Sequence, residues 1–338
     1  MQSYLKQWGY LTLGCLALLL VDRFLFGILN GFWQNLVLLA GINMVAALGL
    51  NLINGYCGQF SLGHAGFMAI GGYVAAFFTM RFAWPQWMMT VPTVEFPVMF
   101  PLSLIMGGLA AAAAGVVVGI PTLRLKGDYL AIATLGFGEI AKVFFQNYEY
   151  LGGARGLPGI PHLSNFFWVF ATVMVSTVLI LNLIRSSHGR ALISVREDEL
   201  AAEVMGVWTT YYKVAAFLLG AFFAGVAGGL LGHQLEILTP EKFNFITSIE
   251  IVVIVVVGGM GSTSGVLMAA ALLTAVPELL RFIPQIAEGI PGLSLLGEPS
   301  MRMILYSLLM IFLMIYRPKG LCGNREIWEI LRDRKSTS

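Results

Sequence analysis

Apolar runs fill most of this chain, and one long polar segment interrupts them. A helix needs about 20 residues to cross about 30 Å of hydrocarbon. Ten runs approach that length: 5–27, 32–53, 62–81, 97–120, 128–147, 165–185, 212–232, 245–258, 264–283 and 302–316. The third is rich in glycine, and the eighth is short enough to be re-entrant or partly unwound. The pattern predicts an all-α polytopic membrane protein of about ten transmembrane helices, one domain over residues 1–338. The apolar stretch Leu11–Val21 precedes Asp22 and Arg23 and lacks a small-residue cleavage site, so it reads as a retained first span.

The interruption lies at 186–211, and its centre is HGRALISVREDELAAEVMGV, His188 to Val207. Ala191, Leu192, Val195, Leu200, Val204 and Met205 recur near a 3.6-residue period, with Arg190, Arg196, Glu197, Asp198, Glu199 and Glu203 between them. This predicts an exposed amphipathic helix between two spans, the kind of surface a soluble motor protein can push. An interfacial helix on lipid fits less well. Four acids against two arginines would be repelled by an anionic leaflet.

Positive residues set the orientation. Arg124 and Lys126, then Arg185, Arg190, Arg196 and Lys213, then the 317–338 tail with Arg317, Lys319, Arg325, Arg332, Arg334 and Lys335 all fall on one side. Positive residues stay in the cytoplasm. The loops on the other side are poor in lysine and arginine, 82–96 carrying only Glu95 and 284–300 only Glu288 and Glu298, while Arg155 and Lys242 are exceptions. The expected arrangement is multi-pass, with both termini and 186–211 cytoplasmic.

Composition agrees. The chain is 58% hydrophobic and 11% charged, with mean hydropathy +0.81 and 39 glycines. A soluble chain would carry about a quarter charged residues. Net charge is only +2 and says nothing about partners, and no nucleic-acid partner is expected. Cys15, Cys57 and Cys322 lack metal or CxxC spacing and read as small apolar residues.

Glycines four apart, Gly115 with Gly119, Gly225 with Gly229 and Gly228 with Gly232, place small residues on one helix face for close packing. A faint repeat is also present. GYCGQFS (Gly55 to Ser61) and GGMGSTS (Gly258 to Ser264) both read G-x-x-G-x-x-S, each at the inner entry of an outgoing span. They are either unwound elements that contact solute or a chance likeness of glycine-rich loops.

Ionisable groups inside spans are costly and therefore candidates for function. Glu139 and Lys142 share one helical face, either as a polar lining for a zwitterionic solute or as a self-satisfied pair. Glu250 precedes an aliphatic run with no cation near it in sequence. His64, near Ser61, Gly63 and Gly66, suits a hydrogen-bonded or packing role better than a metal site. Ser61 and Ser262 belong to the repeat segments and complete the candidate pathway set with His64, Glu139, Lys142 and Glu250. Asp128 is expected to cap the fifth span. No metal ligands or catalytic set is expected, and no GxxxxGK[ST] phosphate loop is present.

Six segments, taken in order, carry a resemblance. NGYCGQFSLGHAGFMAIGGY (54–73), LRLKGDYLAIATLGFGEI (123–140), GGARGLPGIP (152–161), GRALISVREDELAAEVMGV (189–207), SIEIVVIVVVGGMGS (248–262) and YRPKGLCG (316–323) resemble the permease family of branched-chain amino-acid ABC importers, in its longer, LivM-type subunit. The resemblance implies an ATP-driven importer of type II architecture. Its expected partners are a homologous second permease subunit, two cytoplasmic ATPase subunits and a periplasmic amino-acid-binding protein. ATP and Mg would be bound by the ATPases, with no cofactor in this chain. The Glu203-Val204-Met205-Gly206 ending fits an EAA-like loop. It would place Arg190, Arg196, Glu197, Glu199, Ala201, Ala202, Glu203 and Gly206 in an ATPase-coupling element. The same motifs occur in permeases for urea and short amides. Rivals from other classes are an ion-coupled secondary amino-acid transporter, kept open by Glu139 and Glu250, and a membrane enzyme, for which no nucleophile or metal set is found.

Overall fold

The computed structural model describes residues 14, 17–23, 27, 29–81, 99–122, 127–280, 299–317, 320–323 and 326. The first expected span, the 82–96 loop, Arg124, Lys126, Cys15, most of 284–300 and most of the tail lie outside these residues or largely so.

Helices fill the described apolar runs: α1 (Gly31–Asn51), α2 (His64–Arg81), α3 (Met99–Thr122), α4 (Asp128–Asn147) and α5 (Phe166–Arg185). Two short helices, α6 (Ser187–Glu197) and α7 (Glu199–Val204), form the polar segment. Then come α8 (Thr209–Leu235), α9 (Phe245–Gly258), α10 (Thr263–Leu279) and α11 (Pro299–Tyr316). The runs at 128–147 and 245–258 match their helices at both ends. Among the described residues, four helices are long and apolar enough to cross a membrane: Gly31–Tyr56, Met99–Thr122, Phe166–Arg185 and Thr209–Leu235. The 14-residue α9 is continuous, yet at 1.5 Å per residue it rises only about 21 Å.

Two features were not legible from periodicity. A π turn, Leu52–Tyr56, extends α1, and two residues later the chain turns at Gly58, whose φ of 72° suits glycine. Leu157–Pro158 (β1) pairs antiparallel with Ile237–Leu238 (β2), a small amendment to the all-α reading.

The long α8 is the centre of the body, packed against α3, α2 and α1, while α1 also meets α10 and α5. Apolar burial cannot drive helix association inside lipid, so close backbone approach must do it. The glycines supply that approach. A Cβ at Gly225 would stand 2.5 Å from Ala111 Cβ, and one at Gly115 2.8 Å from Ala221 Cβ. A Cβ at Gly228 would enter the carbonyl of Met68, and one at Gly71 would enter Gly225. Of the glycines spaced four apart, Gly115 on α3 and Gly225, Gly228 and Gly229 on α8 make the close approach expected of them.

Asp128 does not cap α4. The capping position belongs to Gly127 at φ 60°, with no side-chain bond, and Asp128 stands in the first turn. An acid there is still favoured by the positive end of the helix dipole.

Candidate functional site

The polar segment is a broken hairpin of two helices, not the single helix its periodicity predicts. Ser186 caps α6 by accepting from Gly189 N at 3.3 Å. Asp198, extended at φ −157°, ends α6 and begins α7, its Oδ1 accepting from Leu200 N at 2.9 Å and Ala201 N at 3.1 Å. A carboxylate that satisfies two first-turn N–H groups is a strong local reason to restart the helix. Gly206 then reverses the chain at φ 82°.

The hairpin is fastened at its base. Lys213, buried on α8, meets Glu199 at 2.6 Å. Glu203 accepts from the Thr209 hydroxyl at 2.7 Å. Arg190 donates to Ser187 Oγ and to the Arg185 carbonyl. Leu192, Val195 and Ala202 are buried beneath, whereas Ala201 is exposed. The tip faces outward and is apolar: Val204 is 87% exposed, Met205 83%, with Trp208 and Leu200 beside them. Apolar side chains grouped on a polar loop mark an interaction surface, for protein or membrane.

Three further segments are linked to this hairpin, directly or through one another. Arg196 Nη1 donates to Gly55 O at 3.0 Å, joining it to the first glycine segment. Asn51 Oδ1 accepts from Gly261 N at 2.9 Å, joining the end of α1, just before the first glycine segment, to the second. Leu321 N donates to Val257 O at 2.8 Å and Cys322 N to Gly258 O at 3.3 Å, which brings in the chain beyond α11. Glu326 completes the junction by accepting from Thr263 N and Ser264 N, each at 2.9 Å. Burial opposes its charge, but the bonds from Ser264 and then Thr263 hold its carboxyl below the ordinary value.

The candidate pathway residues fall into two groups that do not share one site. Ser61, His64 and Ser262 are fully buried. His64 Nε2 donates to Ala46 O at 2.9 Å, and Ser262 Oγ caps α10 by accepting from Gly265 N at 3.2 Å. The Ser61 hydroxyl and His64 Nδ1 have no hydrogen-bond partner among the described residues. The second group lies at the surface. Glu139 Oε2 meets Lys142 Nζ at 2.9 Å, and its Oε1 accepts from Phe245 N at 3.2 Å, tying α4 to α9. Glu139, Ile140, Val143, Phe144, Asn147 and Tyr148 line a shallow depression on α4. Glu250 is exposed on α9 beside Ile246 and Ile249. Among the described residues no cluster of three or more His, Cys, Asp or Glu side chains could hold a metal ion.

Sequence reading passed over Asn51, Tyr56 and Glu326, and took Asp198 for a residue inside one helix rather than the cap of a second. The amides of LGLNLINGY were the available signal, since an asparagine in an apolar run must find partners. Glu326 gave none, because its partners lie more than sixty positions away.

Comparison with known proteins gives one consistent family. Residues 32–314 match the family described as branched-chain amino acid transport system / permease component. The high-affinity branched-chain amino acid transport system permease protein LivM of Salmonella typhimurium is 36% identical over 315 residues, 83% of this chain and 67% of that protein. Its namesake from Escherichia coli is 35% identical over the same shares. A probable branched-chain amino acid transport permease LivH from Methanocaldococcus jannaschii is 24% identical, covering 90% of this chain and 95% of its own. No solved structure matches the chain. These relatives are transport permeases rather than enzymes, and the chain, a membrane-embedded protein, belongs to the branched-chain amino-acid transport permease family.

Proposed function

We propose that this chain is the LivM-type permease subunit of an ATP-driven importer that moves branched-chain amino acids across a bacterial inner membrane. It pairs with a homologous second permease. Two cytoplasmic ATPase subunits, which bind the ATP and Mg, dock on 186–211, and a periplasmic binding protein delivers the solute. Both termini are cytoplasmic, and the chain itself carries out no chemistry. The observation that carries the reading is the exposed apolar tip Leu200, Val204, Met205 and Trp208. It stands on a loop that is otherwise fastened to the body by Lys213–Glu199 and Glu203–Thr209. A firm base and an unpartnered tip suit an element that must take a push and pass it on.

The face shared by α4 and α9 supports a pathway on the same reading. Carboxylates exposed on transmembrane helices are not stable against hydrocarbon. Glu139 and Glu250 therefore face the second permease and the aqueous space between the two chains. One carboxylate and exposed backbone suffice for a zwitterion with an apolar side chain, since tight binding would oppose release.

Reconstitution of the four kinds of subunit in proteoliposomes tests the reading, with leucine, isoleucine, valine and urea as solutes. ATP-dependent leucine uptake is expected. Val204→Asp with Met205→Asp is expected to keep the permease pair folded while ATPase subunits no longer co-purify. Normal ATPase retention by that variant would overturn the docking assignment, and uptake of urea alone would overturn the solute.

A further inference from the structure

The two glycine segments found in the sequence meet each other in space, which neither the apolar tip nor the exposed carboxylates explain. A Cβ at Gly55 would strike the Asn51 side-chain oxygen and the backbone N of Gly261, so the two backbones approach closely beside the Asn51 amide. Asn51, fully buried at the end of α1, holds the second segment against the start of the first, since its Oδ1 accepts from Gly261 N and its Nδ2 donates to Ser262 O at 3.5 Å. The third member is Arg196 from α6. Its Nη1 holds Gly55 O at 3.0 Å and lies 2.8 Å from the point a Cβ on Gly261 would occupy. Its Cγ lies 2.8 Å from the corresponding point at Gly58. On the other side, Nε and Nη2 both donate to Glu197 Oε1, on an acid that is largely exposed. One guanidinium thus spans from the loop surface to the backbone of both segments.

We propose that Arg196 is the positioning residue that transmits displacement of the 186–211 loop to both glycine turns. The proposal rests on that loop being the ATPase-docking element. Gly58 and Gly261 stand at φ 72° and 87°, where glycine is at ease and a backbone hinge costs little. The first turn leads into α2 at His64 and the second into α10 at Thr263. A shift of either turn therefore moves the inner end of a span. Because the turns abut, a single strut displaces both together. A lysine could reach one partner, but its single ammonium lacks the planar fork that engages Gly55 and Glu197 at once.

The experiment uses the full complex in proteoliposomes with Arg196→Ala and Arg196→Lys. It reads leucine moved per ATP hydrolysed and the amount of ATPase subunit retained. Retained ATPase and continuing hydrolysis are expected, with leucine per ATP reduced about tenfold in the alanine variant, the equilibrium weight of one charge-assisted hydrogen bond. The lysine variant keeps bulk and charge, so it folds even where alanine does not, and its ratio is also expected to fall. A wild-type ratio in Arg196→Lys overturns the proposal. Loss of ATPase binding in either variant also overturns it, because Arg196 would then belong to the docking surface. Failure of the docking reading looks different: the wild-type chain, or its Val204→Asp, Met205→Asp variant, would show no dependence of ATPase retention on the loop tip.

Discussion

Glu326 closes over the first turn of α10, its Oε2 accepting from Ser264 N at 2.9 Å while Oε1 accepts from Thr263 N at 2.9 Å and from the Tyr56 hydroxyl at 3.3 Å. Those two N–H groups belong to the four that no helix can satisfy internally. Ser262 takes a third, from Gly265. A tail carboxylate thus completes a cap that the local sequence leaves unfinished, and it binds the chain beyond α11 to the second glycine turn.

The first prediction follows from the direction of its titration. Its carboxyl lies below the ordinary 4.5, so it stabilises the fold fully above that value, and the contribution disappears as pH falls through the lowered one. Glu326→Gln should cost about 1 kcal/mol at neutral pH, the usual worth of a helix cap. Thermal unfolding in detergent should show a wild-type advantage that is flat near neutrality and shrinks below the ordinary carboxylate range. An advantage that persists unchanged into acid would mean the carboxylate charge is not what matters.

Lys213 and Glu199 make the second prediction. Lys213 is buried on α8, and Glu199 at 2.6 Å is the acid that balances it. Glu199→Gln leaves a cation with a neutral partner, whereas Glu199→Ala leaves it with none. Losses of about 1 and about 3 kcal/mol are expected in thermal unfolding, since stranding one member of a buried pair costs more than the pair contributes. The double change Glu199→Ala with Lys213→Met should recover much of the alanine loss. No recovery would show that the lysine charge is satisfied elsewhere.

The sequence made the spans legible because apolar length and helix period are local properties. Runs 128–147 and 245–258 end where their helices end. The polar segment was legible as a helix and as exposed, but not as two helices. Asp198 can extend a helix or cap the next one, and the periodicity of the flanking apolar residues is the same in either case. The glycine repeat was visible only as a spelling. Its meaning depends on Gly55 meeting Gly261, about two hundred positions away, and on an arginine from a third segment. Ser61, His64 and Ser262 were polar residues at plausible depths, and burial of all three is a fact of packing that no window of sequence contains.

Glycine packing gives a paired test. A Cβ at Gly228 would run into the backbone of Met68, which cannot yield without parting α8 from α2, while one at Gly136 on α4 meets nothing within 4 Å. Gly228→Ala should destabilise by about 3 kcal/mol as an overpacked contact. Gly136→Ala should be neutral or stabilise by up to about 1 kcal/mol through helix propensity. Thermal midpoints of the two variants in one detergent decide this. Equal midpoints would show that α2 and α8 are held by something other than backbone approach.

Glu139 separates a wall of the pathway from a mere clasp between helices. Its Oε2 meets Lys142, its Oε1 meets Phe245 N, and both side chains of the ion pair are partly exposed. An exposed ion pair contributes about 0–1 kcal/mol, so Glu139→Gln, which keeps shape and the bond from Phe245, should barely move the thermal midpoint. A carboxylate that meets the amine of a passing zwitterion acts through its charge, and the amide cannot replace it. Leucine uptake by the reconstituted importer should fall severalfold while ATPase retention and basal hydrolysis stay near wild type. A lowered midpoint with uptake lost in proportion would assign Glu139 to holding α4 against α9. Normal uptake would remove it from the pathway and leave Glu250 as the remaining carboxylate on that face.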